Sequence, residues 1–156
     1  MINHLMLHVL GAAHVLTAIL ALLAGALVLL QNKGTRRHVW TGRVYLGAML
    51  ATNLTALGIY ELFARFGPFH VFALLSLLSV LAGVVPVWRR KAGWMERHAQ
   101  WVLGSYVGLC SAAVAEISSH LLAFPFGPTV IISSAIVLIT GWVWMWVFLT
   151  RRFSAP

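Results

Sequence analysis

Five long stretches of the chain are almost free of charge, at about residues 6–31, 40–63, 69–88, 99–122 and 129–150, and the polar residues crowd into the short gaps between them. Each stretch can supply the ~20 apolar residues that a helix needs to cross a hydrocarbon core ~30 Å thick. A backbone in lipid must satisfy its own polar groups, and a helix does so within one segment. The pattern therefore predicts an all-α, polytopic membrane protein: five transmembrane helices in a single domain over residues 1–156. The first stretch has no positive residue in front of it, is too long for the core of a signal peptide, and runs straight into the stop-transfer pattern "NKGTRR". It is expected to stay as a helix.

Composition agrees, with 61% hydrophobic and 9% charged residues, against roughly a quarter charged in soluble domains. The single Cys110 excludes an intrachain disulfide. The placement of charge adds more. Of the 11 Lys and Arg, all but Arg65 fall in 33–43, 89–97 or 151–152. Basic short loops mark the cytoplasmic side, so the N-terminus is expected outside and the C-terminus inside a bacterial inner membrane. The net charge of +8 follows from topology and from attraction to anionic lipid head groups, and calls for no nucleic-acid partner.

The two basic loops end alike. "RHVWTGRVYLG" (37–47) and "RHAQWVLGSYVG" (97–108) both run Arg-His and then Tyr-x-Gly. His14 stands 19 residues before Lys33, and His70 stands 19 residues before Arg89. Helices 1–2 and 3–4 thus read as a duplicated hairpin of the kind related by an axis along the membrane normal, with the Trp-rich fifth helix as a peripheral addition. A 19-residue separation spans roughly 28 Å. It places His14 and His70 at similar heights in the outer part of the bilayer, with His38 and His98 facing each other at the inner surface.

Ionisable groups inside membrane helices usually face the bundle or a cavity. At about 100° per residue, His98, Ser105, Ala112, Glu116 and His120 share one line on helix 4, and His38, Tyr45, Thr52, Ala56 and Tyr60 share one on helix 2. Glu116 and His120 form an i,i+4 pair. His14 shares a face with Ala18, Ala21 and Gly25, small residues that let helices approach, and is expected to point inward. On helix 3 the small residues Ser76, Ser79 and Gly83 lie opposite His70, which leaves the orientation of His70 open. His4 and His8 are expected among outer head groups, and Trp40, Trp88, Trp94 and Trp101 at interfaces.

The order "AHVLTAILALLAGALVL", "KGTRRHVWTGRVYLGAM", "FGPFHVFALLSLLS", "RHAQWVLGSYVGL" resembles a bacterial membrane protein family catalogued as domain of unknown function 2306. The most specific part is Lys-Gly-Thr-x-x-His followed by Gly-Arg-Val-Tyr. The resemblance implies a helical membrane fold with His14, His38, His70 and His98 at characteristic positions, and implies no reaction.

Three functions compete. Haem b would use two histidines as axial ligands, His14 with His70 on the outer side and His38 with His98 on the inner, with Arg37, Arg43 and Arg97 available for propionates. Electrons would then cross the membrane, from a quinone or another membrane redox protein. The second reading is an outer metal site for zinc or another transition metal, built from His14, His70, Glu116 and His120 with Glu61 nearby, whose open position would allow hydrolysis of a lipid or peptide. The third is a structural or accessory subunit without cofactor, in which the histidines bond across the bundle. Four histidines and an intramembrane glutamate are more polarity than packing requires.

Overall fold

The computed structural model describes residues 2–60 and 66–153, and these form five α-helices: α1 (Ile2–Leu30), α2 (Arg36–Gly58), α3 (Pro68–Arg89), α4 (Trp94–Leu121) and α5 (Phe126–Phe153). Four carry segments long and apolar enough to cross a membrane, at Leu7–Leu30, Phe69–Arg89, Trp94–Leu121 and Phe126–Phe153. The fifth, α2, has 23 residues, about 34 Å of helix, and is long enough. It is less apolar than the others because it carries Arg43, Thr41, Thr52, Asn53 and Thr55. The apolar run spans 40–63 in the sequence; the helix instead starts at Arg36, where the Thr35 hydroxyl accepts the His38 N–H at 3.2 Å, and stops at Gly58. Glu61 lies outside the described residues, as does the side chain of His4, while His8 is exposed.

The chain falls into two compact units that divide between Val80 and Leu81, inside α3. In the first, α1 and α2 form an antiparallel hairpin. Its register is visible in three places: Leu10 against Gly58, His14 against Thr52 and Thr55, and Gln31 Nε2 donating to the Thr41 hydroxyl at 3.1 Å. The buried face of α2 is Tyr45, Ala48, Met49, Thr52 and Asn53, at the i, i+3, i+4, i+7 spacing of one helical stripe. It meets the small residues of α1, where Ala21 is fully covered and Ala24 is buried. Apolar association is weak between helices in lipid, and close approach of small residues with cross-helix hydrogen bonds takes its place. Of the polar residues that lower the apolarity of α2, Thr41, Thr52 and Thr55 thus meet α1 or Gln31 at its end, whereas Arg43 is exposed.

In the second unit the end of α3 lies against the start of α4. A β-carbon on Gly83 would stand 2.9 Å from Val102 Cγ2, so a larger residue here would force Val102 or the helix to move. Helix α5 packs on α4 through Val107 at Gly141 and through the Ser111 hydroxyl, which donates to the Ser134 carbonyl at 3.2 Å. The fifth helix is therefore an integral part of this unit, with Trp142, Trp144 and Trp146 on its exposed side.

Candidate functional site

The histidines are held in two different ways. His14 is half-buried on α1, and its Nδ1 lies 3.1 Å from both the Thr52 carbonyl and the Thr55 hydroxyl of α2. A carbonyl only accepts, so Nδ1 carries the hydrogen and Nε2 keeps its lone pair. The surroundings are a chain of hydroxyls: Thr52 donates to Thr17 at 3.1 Å, and Thr17 bonds back to the Ala13 and His14 carbonyls.

His98 repeats this arrangement in the second unit, with Nδ1 at 2.7 Å from the Gly83 carbonyl. The reason is local. Pro86 sits inside α3 and has no N–H, which disturbs the hydrogen bonding of the preceding turn. Helices in membranes tolerate such a proline when a neighbouring side chain serves the affected carbonyls. The carbonyl that loses its N–H is that of Ala82, four residues before Pro86, and His98, brought close by the glycine approach at Gly83, bonds the carbonyl next to it. It too donates through Nδ1 and keeps the Nε2 lone pair.

His70 is the reverse. It is buried, 3% exposed, and its Nδ1 accepts the Gly67 N–H at 3.1 Å. Gly67 precedes the first helical residue, Pro68, and His70 is the third. This is the geometry in which a side chain at the third position reaches back to cap the helix, a role usually filled by Glu or Gln. The hydrogen then sits on Nε2, which is buried without a hydrogen-bond partner among the described residues. The ring lies against Tyr60 and Phe66, with centroids 4.5 Å and 5.0 Å away. Helix α3 buries His70, Ala73 and Val80 in the first unit, so the open question of its orientation is answered by the capping bond rather than by the small residues on the opposite face.

His38 is half-buried in the first turn of α2, the helix whose start Thr35 caps. Arg43, a candidate for propionates, stacks over Trp40 at 5.2 Å, and Arg97 donates to the Ala92 carbonyl.

Glu116 and His120 meet at 3.0 Å, with side chains 70% and 74% exposed. The line expected along α4 is therefore covered at only one end: Ser105 is buried, whereas Ala112, Glu116 and His120 are not. Helix α5 takes the side of Val107 and Ser111 instead. Among the described residues, no three His, Cys, Asp or Glu side chains gather around a point where a metal ion could sit. Of the set His14, His70, Glu116 and His120, only the last two are joined in a contact, and His14 and His70 each have partners of their own.

The sequence pattern did not single out Thr52, Thr55 or the Gly83 carbonyl as partners of the histidines. No curated protein and no solved structure matches the chain. The family described as "Predicted membrane protein (DUF2306)" matches it over residues 11–150, and the chain, an integral membrane protein by that match and by its long apolar helices, belongs to this family.

Proposed function

We propose that this protein holds haem b between its helices and passes electrons across a bacterial inner membrane. The observation that carries the reading is the common pose of His14 and His98, each donating Nδ1–H to a backbone carbonyl of a neighbouring helix. Histidines that bind metals commonly make this second bond, which fixes the ring and leaves Nε2 as the ligand atom. His38 completes the set on the inner side together with Arg37 and Arg43, whose guanidinium groups suit propionates. His70 would join it only after giving up its bond to Gly67. Haem b, if held by these histidines, would supply one-electron transfer between a membrane quinone pool and a membrane redox protein. The test is the absorption spectrum and iron content of protein expressed with ample haem precursor. A Soret band that His14→Ala or His98→Ala removes is the expected result, and absence of the band together with absence of iron sinks the reading.

A zinc-like outer site with hydrolase activity is the second reading, favoured by the Glu116–His120 contact, which offers two ligands of the right chemistry. Zinc that copurifies with the wild type and is lost in Glu116→Gln would support it.

Both readings assume five crossings, with the N-terminus outside and the C-terminus inside. Support comes from α2, whose Thr41, Thr52 and Thr55 hydroxyls meet α1 or Gln31 at its end, and from the basic turns. The hairpin duplication gains support from the turns as well: each has a glycine with positive φ, Gly34 at 81° and Gly93 at 70°, shortly before its Arg-His pair. A reporter fused at the C-terminus should be active only in a form that works in the cytoplasm.

A further inference from the structure

We infer that the turn between α3 and α4 holds one anionic phospholipid, its phosphate on Arg89, Lys91 and Arg97 and the start of its acyl chains along α3. A cleft of about 470 Å³ opens here. Its α3 wall is Ala82, Val85, Pro86 and Arg89, the i, i+3, i+4, i+7 positions of one face. From Ala82 to Arg89 the groove runs two helical turns, about 10 Å. Its α4 wall is Arg97 with Trp101 one turn deeper. Charge is therefore confined to the loop end and apolar surface to the other, which is the order of parts in a phospholipid at the membrane surface.

The cations are available for an anion. Among the described residues the ion pair found is Glu116–His120, far along α4. Glu96, the acid nearest in sequence, instead accepts from Gln100 at 3.3 Å. Arg97 is anchored to the Ala92 carbonyl at the turn. Guanidinium groups bind phosphate oxygens in a forked geometry, and basic pockets between membrane helices on the cytoplasmic side are suited to lipid phosphates. Trp101 adds an interfacial aromatic ring at head-group depth. Of the cleft's residues only Arg97 also figures in the haem reading; Arg89, Lys91 and the apolar wall do not.

The turn between α1 and α2 supplies a control within the same chain. It also has a cleft, of about 480 Å³, with Arg36 and Arg37. The rest of its lining is turn residues and Leu30 alone is apolar, so it offers charge without a groove for a chain.

The experiment is native mass spectrometry of the full-length protein in detergent, titrated with phosphatidylglycerol or phosphatidylcholine. One phosphatidylglycerol per chain is expected to bind in preference to phosphatidylcholine. Near a membrane surface each cation contributes about fivefold in affinity, so Arg89→Gln/Arg97→Gln should weaken binding about 25-fold, and Arg36→Gln/Arg37→Gln should leave it unchanged. Ala82→Trp, which fills the apolar end and keeps every charge, should also release the lipid, while inorganic phosphate should fail to displace it. Equal binding of the two lipids overturns the inference, as does undiminished binding in the double arginine variant. Displacement by inorganic phosphate, or lipid binding unaffected in Ala82→Trp, overturns the lipid assignment and leaves a simple anion on the cations.

Discussion

At the turn after α1, Lys33 reaches back and donates to the Val28 and Leu29 carbonyls at 2.7 and 2.9 Å, and Thr35 caps the start of α2. At the turn after α3, no side chain caps α4, which begins at Gly93, and Arg89, Lys91 and Arg97 line an amphipathic cleft. The first turn uses its polar residues to close its own helix ends. In the second, Arg97 likewise bonds a carbonyl of its own turn, that of Ala92, while Arg89 and Lys91 line the cleft. Both turns are basic, as short cytoplasmic turns are expected to be, so charge sign alone does not separate a structural turn from a binding one. What separates them is whether apolar helix surface adjoins the cations.

The contact behind the second turn is the place to break the contrast most severely. Gly83→Leu drives a side chain into Val102, and overpacking of this kind costs up to about 3 kcal/mol. Thermal unfolding in detergent should show the loss, together with loss of the His98 bond and of the retained lipid. A variant of unchanged stability would mean that α3 and α4 do not approach as described. Next comes His70, which ends the first unit's share of polar contacts. His70→Ala removes a cap and leaves a void, at about 2 kcal/mol. His70→Gln, which can still reach the Gly67 N–H, should lose less than half of that. Equal losses in the two variants would show that the capping bond contributes nothing.

The turns themselves give the smaller effects. Thr35→Ala should cost about 1 kcal/mol through the lost cap of α2, whereas Gly93→Asn, which tolerates the left-handed conformation, should leave stability unchanged. Lys33→Met should destabilise by roughly 0.5 kcal/mol, the scale of a cation at a helix C-terminus, and leave lipid retention intact. Lys91→Met should do the opposite, weakening lipid retention with no shift in unfolding. If the two lysines behave alike in both assays, the distinction between the turns is lost.

The five helices were legible because lipid leaves a chain few options: a run of ~20 apolar residues is helical wherever it crosses, and the basic gaps mark its ends. The inward face of α2 was legible for the same reason, since Tyr45 and Thr52 share one stripe and lipid offers a hydroxyl no partner. His14 followed from its row of small residues. Helix α3 resisted, since Ser76 and Ser79 lie opposite His70 and nothing in helical periodicity foretells a ring that caps its own helix. The outer part of α4 resisted as well. Its line of Ala112, Glu116 and His120 had a consistent angle, but angle does not say which side α5 takes, and α5 took the side of Val107.

Sequence by itself determined the all-α class, the short basic turns, the membership signalled by Lys-Gly-Thr-x-x-His, and the residue types able to hold a cofactor. These depend on local hydropathy and spacing, which the chain carries at every position. The tertiary structure decided which nitrogen each histidine presents, because that depends on whether a carbonyl or an N–H lies opposite the ring. His14 and His98 meet carbonyls of other helices, His70 meets the N–H of Gly67, and the difference between a ring that bonds across helices and one that caps its own is set by those neighbours.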